Sequence, residues 1–354
     1  MISLTWRSSL VLMALFGTSC RRSPPEPSES AAPSASVAES APRGAPRFAA
    51  PARLVAIGDL HGDLAVTRAA LRLAGAIDRE DDWVGAQLVV VQTGDQIDRG
   101  DDDRAVLDLL DSLTEKAARA GGALHALNGN HELMNVAGDF RYVTARGFSS
   151  FDDVSGPALE RFEPRARGRR AAFLPGASYA RRLAKRASVI IVGDSLFVHA
   201  GVRPEYVRYG LGRINDELSA FMRGEARSVP SVMSSEESPL WTRVYGEPAL
   251  DEATCAMLKT VLDELGIKRM VVGHTVQDAG INSACGERVW RIDVGLSSFY
   301  GQRKVEVLEI QGGKVSVLRG ERNALLGTPA PSASPERRPS KPVRKQPELP
   351  AAAP

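Results

Sequence analysis

Residues 54–63 read LVAIGDLHGD, and this stretch decides the fold: an apolar run of strand length stops at a glycine turn that carries Asp59 and His61 two positions apart. The same pattern recurs along the chain. LVVVQTGDQIDRGDD (88–102) ends a second run with Asp95, Asp98 and Arg99, and ALHALNGNHE (123–132) sets Asn130 and His131 after a third. LFVHAG (196–201) supplies His199, and MVVGHT (270–275) supplies His274. Short aliphatic runs closed by glycine predict strands. The crevice beyond the carboxyl ends of such strands is where an open α/β sheet binds its ligand. Residues 63–74 and 103–120 place apolar side chains at helical spacing between the early runs, and residues 289–294, 305–310 and 314–318 read as closely spaced late strands. Early strand–helix alternation followed by strands in succession predicts an α/β sandwich whose second sheet is mixed and largely antiparallel.

The residue types at those strand ends belong to metal chemistry. Asp59 and His61 can both reach one ion, and Asp95 can bridge a pair of ions roughly 3.5 to 4 Å apart. Asn130, His199 and His274 then supply an amide oxygen and two imidazoles to the second ion. Mixed oxygen and nitrogen ligands suit Mn, Fe or Zn rather than calcium. Each motif alone is weak, but the chain has only five histidines and four of them fall in these segments, His125 being the one in a strand interior. Two divalent ions lower the pKa of a bridging water, so that hydroxide is available for in-line attack on phosphorus. The leaving oxygen needs a proton, and His131 is placed to give it, with Asp98 orienting the imidazole. Arg99 can fork two phosphate oxygens, which a lysine cannot. The pattern predicts a dinuclear metal-dependent phosphoric monoester hydrolase.

Composition sets limits on the rest. With 45 basic and 43 acidic residues among 354, the net charge of +2 gives no whole-protein attraction to nucleic acid or anionic membranes. Residues 1–20 have the layout of an export signal: Arg7, a short apolar run over 10–16, and small residues before Cys20. That run is too short to span a bilayer. Cys20, followed by Arg21 and Arg22, resembles a bacterial lipoprotein cleavage and lipidation site, although Gly17 stands where a large aliphatic is usual. Residues 21–50 are Ser, Pro, Ala and Glu with few large apolar side chains, the composition of a disordered tether. Residues 327–354 form a Pro-rich basic tail of the same kind. The expectation is a single domain over 51–326, exported and held in the periplasm or on the outer membrane by a lipid anchor, monomeric by default. Residues 139–187 hold Arg161, Arg165, Arg167, Arg169, Arg170, Arg181, Arg182, Lys185 and Arg186. This run reads as a solvated helical face or, more sharply, as a basic rim drawing anionic substrates to the metals.

Taken in order, GDLHGD, GDQIDRGDD, GNHE, HAG and GHT resemble the motifs of the phosphoprotein phosphatase family, within the calcineurin-like metallophosphoesterases. The resemblance implies a four-layer αββα sandwich. It also implies metal ligands at Asp59, His61, Asp95, Asn130, His199 and His274, a general acid at His131 oriented by Asp98, and a phosphate-binding arginine at Arg99. The family's second phosphate arginine is placed at Arg243 of SPLWTR. RGDDDRAVLDLL, LNGNHELMNVAGDFRYV, SPLWTR and GINSACGERVWRIDVG are similar to the bacterial-type Shewanella-like phosphatases. That similarity implies a protein phosphatase acting on phosphotyrosine or on phosphoserine and phosphothreonine. Diadenosine tetraphosphatases share the scaffold but typically read GNHD and RGP where this chain has Glu132 and Asp101. That activity, or another small-molecule phosphoesterase activity, is the alternative. A catalytically silent, surface-tethered metal-binding lipoprotein is the competing class.

With Cys20 lipidated, Cys255 and Cys285 remain, either as a disulfide in an oxidising compartment or as two buried thiols.

Overall fold

The structure is a computed structural model, and it describes residues 45–157 and 159–327. Cys20, the leader, most of the tether and the tail beyond 327 lie outside the described residues, and so do the expectations on export and lipidation.

Among the described residues the strands are, in chain order, β1 (Arg47–Phe48), β2 (Arg53–Ile57), β3 (Val89–Gln92), β4 (Ala123–Ala126), β5 (Val189–Val192), β6 (Ser195–Val198), β7 (Arg269–Val272), β8 (Asn282–Ala284), β9 (Val289–Arg291), β10 (Val305–Gln311) and β11 (Lys314–Gly320). The helices are α1 (Leu64–Leu73), α2 (Asp103–Arg119), α3 (Asn130–Ala137), α4 (Ala145–Ser149), α5 (Arg167–Phe173), α6 (Ser178–Leu183), α7 (Pro204–Tyr209), α8 (Leu211–Arg223), α9 (Glu252–Leu265) and α10 (Arg322–Leu326). No helix among the described residues is long and apolar enough to cross a membrane.

One sheet runs β11-β10-β2-β3-β4 and the other β1-β5-β6-β7-β9-β8. Alternation of side chains along a strand assigns the two faces of the second sheet. Ile190, Val192, Phe197, Val271 and Trp290 point into a core shared with β2, β3, α1 and α2. Their neighbours Val189, Ile191, Leu196, Val198, Met270, Val272 and Val289 point the other way, onto Ile214, Leu218, Phe221, Leu258 and Val261 of α8 and α9. Two sheets face to face with helices on both outer sides give the expected layered α/β sandwich.

Two details correct the sequence reading. The second sheet is mixed but not largely antiparallel: β1–β5, β6–β7 and β7–β9 are parallel, and only β5–β6 and β8–β9 are antiparallel. The reason is that α7, α8 and α9 carry the chain from β6 to β7, and such a crossover returns the chain in the same direction. The domain also starts before residue 51. Arg47 and Phe48 already pair with Ile191 and Val192, a two-residue strand too short to leave any periodic pattern in the sequence.

Two helices frame the site, and the first is capped as its sequence dictates. Asp63 accepts the Val66 amide at 2.9 Å and starts α1, which buries Val66, Ala69, Ala70 and Leu71. α2 buries Val106, Leu107, Leu110, Leu113 and Ala117 on one face. β2, β3 and β4 are mutually parallel in the first sheet, and β6 and β7 are parallel in the second. The turns that follow these five strands gather at one end of the sandwich.

Candidate metal centre

Asp59 and His61 follow β2, Asp95 follows β3, Asn130 opens α3 after β4, His199 follows β6 and His274 follows β7. His61, Asp95, Asp98, Arg99 and His274 all have φ between +45° and +70°. A side chain pays for that left-handed backbone, and residues held in it cluster where the surroundings over-determine their position. Glu132 supplies one such restraint. Its buried carboxylate accepts the Asp95 amide at 2.9 Å, the Gln96 amide at 2.8 Å and the Gly129 amide at 2.7 Å, locking the β3 turn to the start of α3. Gly94 sits at φ +101° against Gly129, where an added Cβ would lie 2.6 Å from the Gly129 nitrogen. No other residue fits there.

Four donor atoms converge at the second group. His199 Nε2 lies 2.8 Å from Asn130 Oδ1, 3.1 Å from His274 Nδ1 and 3.3 Å from Asp95 Oδ1. The opposite nitrogen of each imidazole is pinned: His199 Nδ1 by the Thr93 carbonyl at 2.9 Å, and His274 Nε2 by the Trp241 carbonyl at 3.1 Å. A carbonyl accepts only from an N–H, so the proton of each neutral ring is held outward. Two imidazole nitrogens and two oxygens then face one another at about 3 Å, an arrangement that suits a cation between them. At the first group His61 Nδ1 meets the Ile97 carbonyl at 3.2 Å, which aims Nε2 at Asp59 and Asp95, each 3.9 Å away. The Asp59 carboxylate also accepts the His274 amide, joining the two groups.

The electrostatics agree with that fit. Burial, then the neighbouring Asp293 and Asp95 carboxylates, push Asp59 well above the usual carboxylate range. Asp293, fully buried behind Asp59, is pushed up to about 6, mainly by burial. Burial depresses His61 and His274, keeping both rings in the neutral form that ligates. A cluster of buried carboxylates with neutral imidazoles carries excess negative charge, which metal ions neutralise.

His131 differs from the other three imidazoles. Its Nδ1 bonds a carboxylate, Asp98 Oδ2, at 2.7 Å, and its Nε2 faces Asp95 Oδ2 at 3.7 Å. Burial works against its positive form, yet Asp95 and the Asp98 bond outweigh burial and raise its pKa. His131 also lies close enough to His61 and Asp95 to complete a three-ligand group, but a ring that favours its proton is better matched to donation than to ligation. Arg99 reaches across the first group, donating to the Tyr300 hydroxyl at 2.6 Å and touching His61 Nε2. The rings of Tyr142 and Phe299 flank its guanidinium at 5.2 and 5.9 Å. Both rings are exposed, 42% and 61%. Arg243 stands at the outer rim, 3.4 Å from the His274 carbonyl and from Thr275 Oγ1.

The structure therefore brings together all six candidate ligands, His131, Asp98 and Arg99, and leaves Arg243 at the edge. The arginine-rich segment is divided between exposed and engaged members, with Arg161, Arg181 and Lys185 on the surface. Arg165 pairs with Glu163, Arg182 with Asp108 and Asp111, and Arg186 with Asp111, while Arg169 is entirely buried. Cys255 and Cys285 are bonded, tying α9 to the turn between β8 and β9. Sequence reasoning missed Arg169, Asn135, Asp293 and the restraining role of Glu132. Only Glu132 left a trace, as the last letter of GNHE.

Comparison with known proteins gives the same answer by another route. The family model described as calcineurin-like phosphoesterase matches residues 52–278. The chain is 41% identical over 299 residues to Shewanella-like protein phosphatase 2 of Arabidopsis thaliana, covering 75% of this chain and 76% of that protein. The crystal structure of a cold-active protein-tyrosine phosphatase from a psychrophilic Shewanella superposes with a TM-score of 0.63 at 25% identity, over 77% of this chain and 82% of that one. A Saccharomyces cerevisiae protein serine/threonine phosphatase shares the fold at a TM-score of 0.51 and 14% identity, over 78% and 83% of the two chains.

Proposed function

The chain belongs to the calcineurin-like phosphoesterase family and is a metal-dependent phosphoesterase, and from that premise we propose that it is a protein phosphatase with two divalent ions in its site. The observation that carries this reading is the meeting of Asp59, His61, Asp95, Asn130, His199 and His274 at one end of the sandwich, with the His131–Asp98 pair beside them. Asp59 and His61 would hold one ion and Asn130, His199 and His274 the other, with Asp95 between, and the donor set suits Mn, Fe or Zn.

When bound, the ions activate water and neutralise phosphoryl oxygens. The chain's own residues do the rest. Arg99 grips the phosphoryl group, its planar fork aimed by Tyr300. A water that has given one proton to solvent forms the new oxygen–phosphorus bond while the ester P–O bond breaks and its electron pair leaves on the departing oxygen. His131 gives that oxygen the proton on Nε2, and Asp98 holds the ring through Nδ1. Exposed Tyr142 and Phe299 beside Arg99 favour an aryl ester, so phosphotyrosine is the preferred substrate in this reading. The Arabidopsis relative, named a protein phosphatase, supports a protein substrate, and the Shewanella protein-tyrosine phosphatase supports the choice of phosphotyrosine. The location proposed, outside the cytoplasm on a tether, rests on the leader sequence alone.

The test is hydrolysis of p-nitrophenyl phosphate by the purified protein with manganese, then after chelation, followed by His131→Asn assayed on phenyl phosphate, whose leaving oxygen needs the proton. Turnover that needs metal, together with a kcat lowered on the order of 10² to 10⁴-fold in the variant while metal stays bound, is expected. Turnover indifferent to chelation refutes the metal reading, and an unchanged rate in His131→Asn refutes the proton donor.

A further inference from the structure

Asp98 is held by more than His131. Asn135 of α3 donates Nδ2 to both of its oxygens, at 3.0 and 3.1 Å, and Arg169 of α5 donates Nη2 to Oδ1 at 3.0 Å. The same guanidinium donates Nε to Asn135 Oδ1 at 2.7 Å, and Nη1 to Asp103 Oδ2 at 2.6 Å and to the Gly147 carbonyl at 2.8 Å. Asp103 in turn accepts the Asp98 amide at 2.9 Å. Arg169 is 0% exposed, one of the largest side chains fully buried in the protein, and it packs beside the rings of Phe151 and Phe173.

A buried charge needs pairing on all sides, and a planar fork with five donors can make bonds in several fixed directions at once. Here one plane reaches Asp98, its partner Asn135, and the Asp103 that holds the Asp98 backbone. Every rotation open to the Asp98 carboxylate breaks one of these bonds. An aliphatic in its place would leave the buried Asp98 and Asp103 carboxylates without a counter-charge, so Arg169 serves the fold as well as the placement of Asp98, and a test of its role must separate the two.

We propose that Arg169 is a positioning residue for the reaction. It fixes the Asp98 carboxylate, and through Asp98 the His131 ring that protonates the leaving oxygen, so the segment from α4 to α6 reaches the chemistry without touching substrate. The inference rests on the donor role of His131 put forward above.

The experiment compares two substrates on the manganese-loaded full chain. p-Nitrophenyl phosphate releases a stable phenolate that needs little help from a proton, whereas the phenol of phenyl phosphate has an ordinary pKa of about 10 and does need it. Arg169→Met and Arg169→Lys should lower kcat on phenyl phosphate by on the order of 10²-fold and on p-nitrophenyl phosphate by less than about 10-fold, with KM and bound manganese unchanged. Added to His131→Asn, Arg169→Met should cost nothing further, because the two act through one group. If Arg169→Met does not fold, Arg169→Lys, which keeps the charge and loses the fork, carries the same comparison. An equal fall on both substrates, or losses that multiply in the double variant, overturns the proposal. Should His131→Asn itself fail to discriminate between the substrates, the donor role falls first and the inference with it. Discrimination by His131→Asn but not by the Arg169 variants refutes the inference alone.

Discussion

Replacing Asp63 tests how the mouth of the site is held. Its carboxylate caps α1 through the Val66 amide at 2.9 Å, accepts the Ser298 amide at 2.9 Å and pairs with Arg322 of α10 at 2.5 Å, where both side chains are nearly buried. Losing a cap costs about 1 kcal/mol, and losing a hydrogen bond to a charged group costs about 1.5 to 3 kcal/mol. Asp63→Ala also leaves Arg322 without its carboxylate, so a total loss of about 3 to 4 kcal/mol is expected. Asn caps as well as Asp, so Asp63→Asn should cost only about 1 to 2 kcal/mol, the share owed to charge. The Val66 and Ser298 amides and Arg322 hold Asp63 below the usual carboxylate range despite its burial. A depressed folded pKa adds stability that is present above the ordinary value of about 4 and is lost as pH falls through the folded value. The gap between wild type and Asp63→Asn should therefore close in that acid range. Urea unfolding at fixed manganese concentration, at neutral pH and at successively lower pH, reads both quantities. A loss under about 0.5 kcal/mol for Asp63→Ala, or a gap that persists at acid pH, refutes the reasoning. Because Ser298 leads into Phe299 and Tyr300, Asp63→Ala should also raise KM for aryl phosphates more than it lowers kcat.

Two further outcomes follow from other parts of the molecule. Phe299→Ala and Tyr142→Ala should each cut kcat/KM for a phosphotyrosine peptide by about 5- to 10-fold, since an aromatic contact is worth about 0.5 to 1.5 kcal/mol beyond its buried area. A phosphoserine peptide assayed in parallel should change little, and equal losses on both would remove the aryl preference. Cys255 and Cys285 close a loop with a sequence separation of 30. Cys255→Ser should lower stability by about 2 to 4 kcal/mol in urea unfolding, and a midpoint equal to wild type would mean the bond constrains nothing.

Much of this was legible in the sequence because the chemistry sits at abrupt changes of pattern. Asp59, His61, Asp95, Asn130, His199 and His274 each follow an aliphatic run, and that juxtaposition survives without any knowledge of which strands pair. Local periodicity also located α1 and α2. The direction of β7 was not legible, because it depends on the path of the chain through α7, α8 and α9 rather than on the strand itself. Arg169 was hidden for a different reason. It is one of several arginines in an exposed-looking run, and burial of a single member is decided by Asp98, Asp103 and Asn135, which lie from 34 to 71 positions away. Asp293, pushed up by its surroundings, likewise reads in sequence as a single acid inside the apolar run 289–294.

The bond from the His274 amide to Asp59 joins positions 215 apart, across two sheets. Enzymatic competence should consequently emerge last, both on the ribosome and in refolding from denaturant: a nascent chain ending before residue 274 carries most of its secondary structure and none of its hydrolytic power. Recovery of turnover is then a clock for the final closure of the molecule, running behind any spectroscopic signal from its helices.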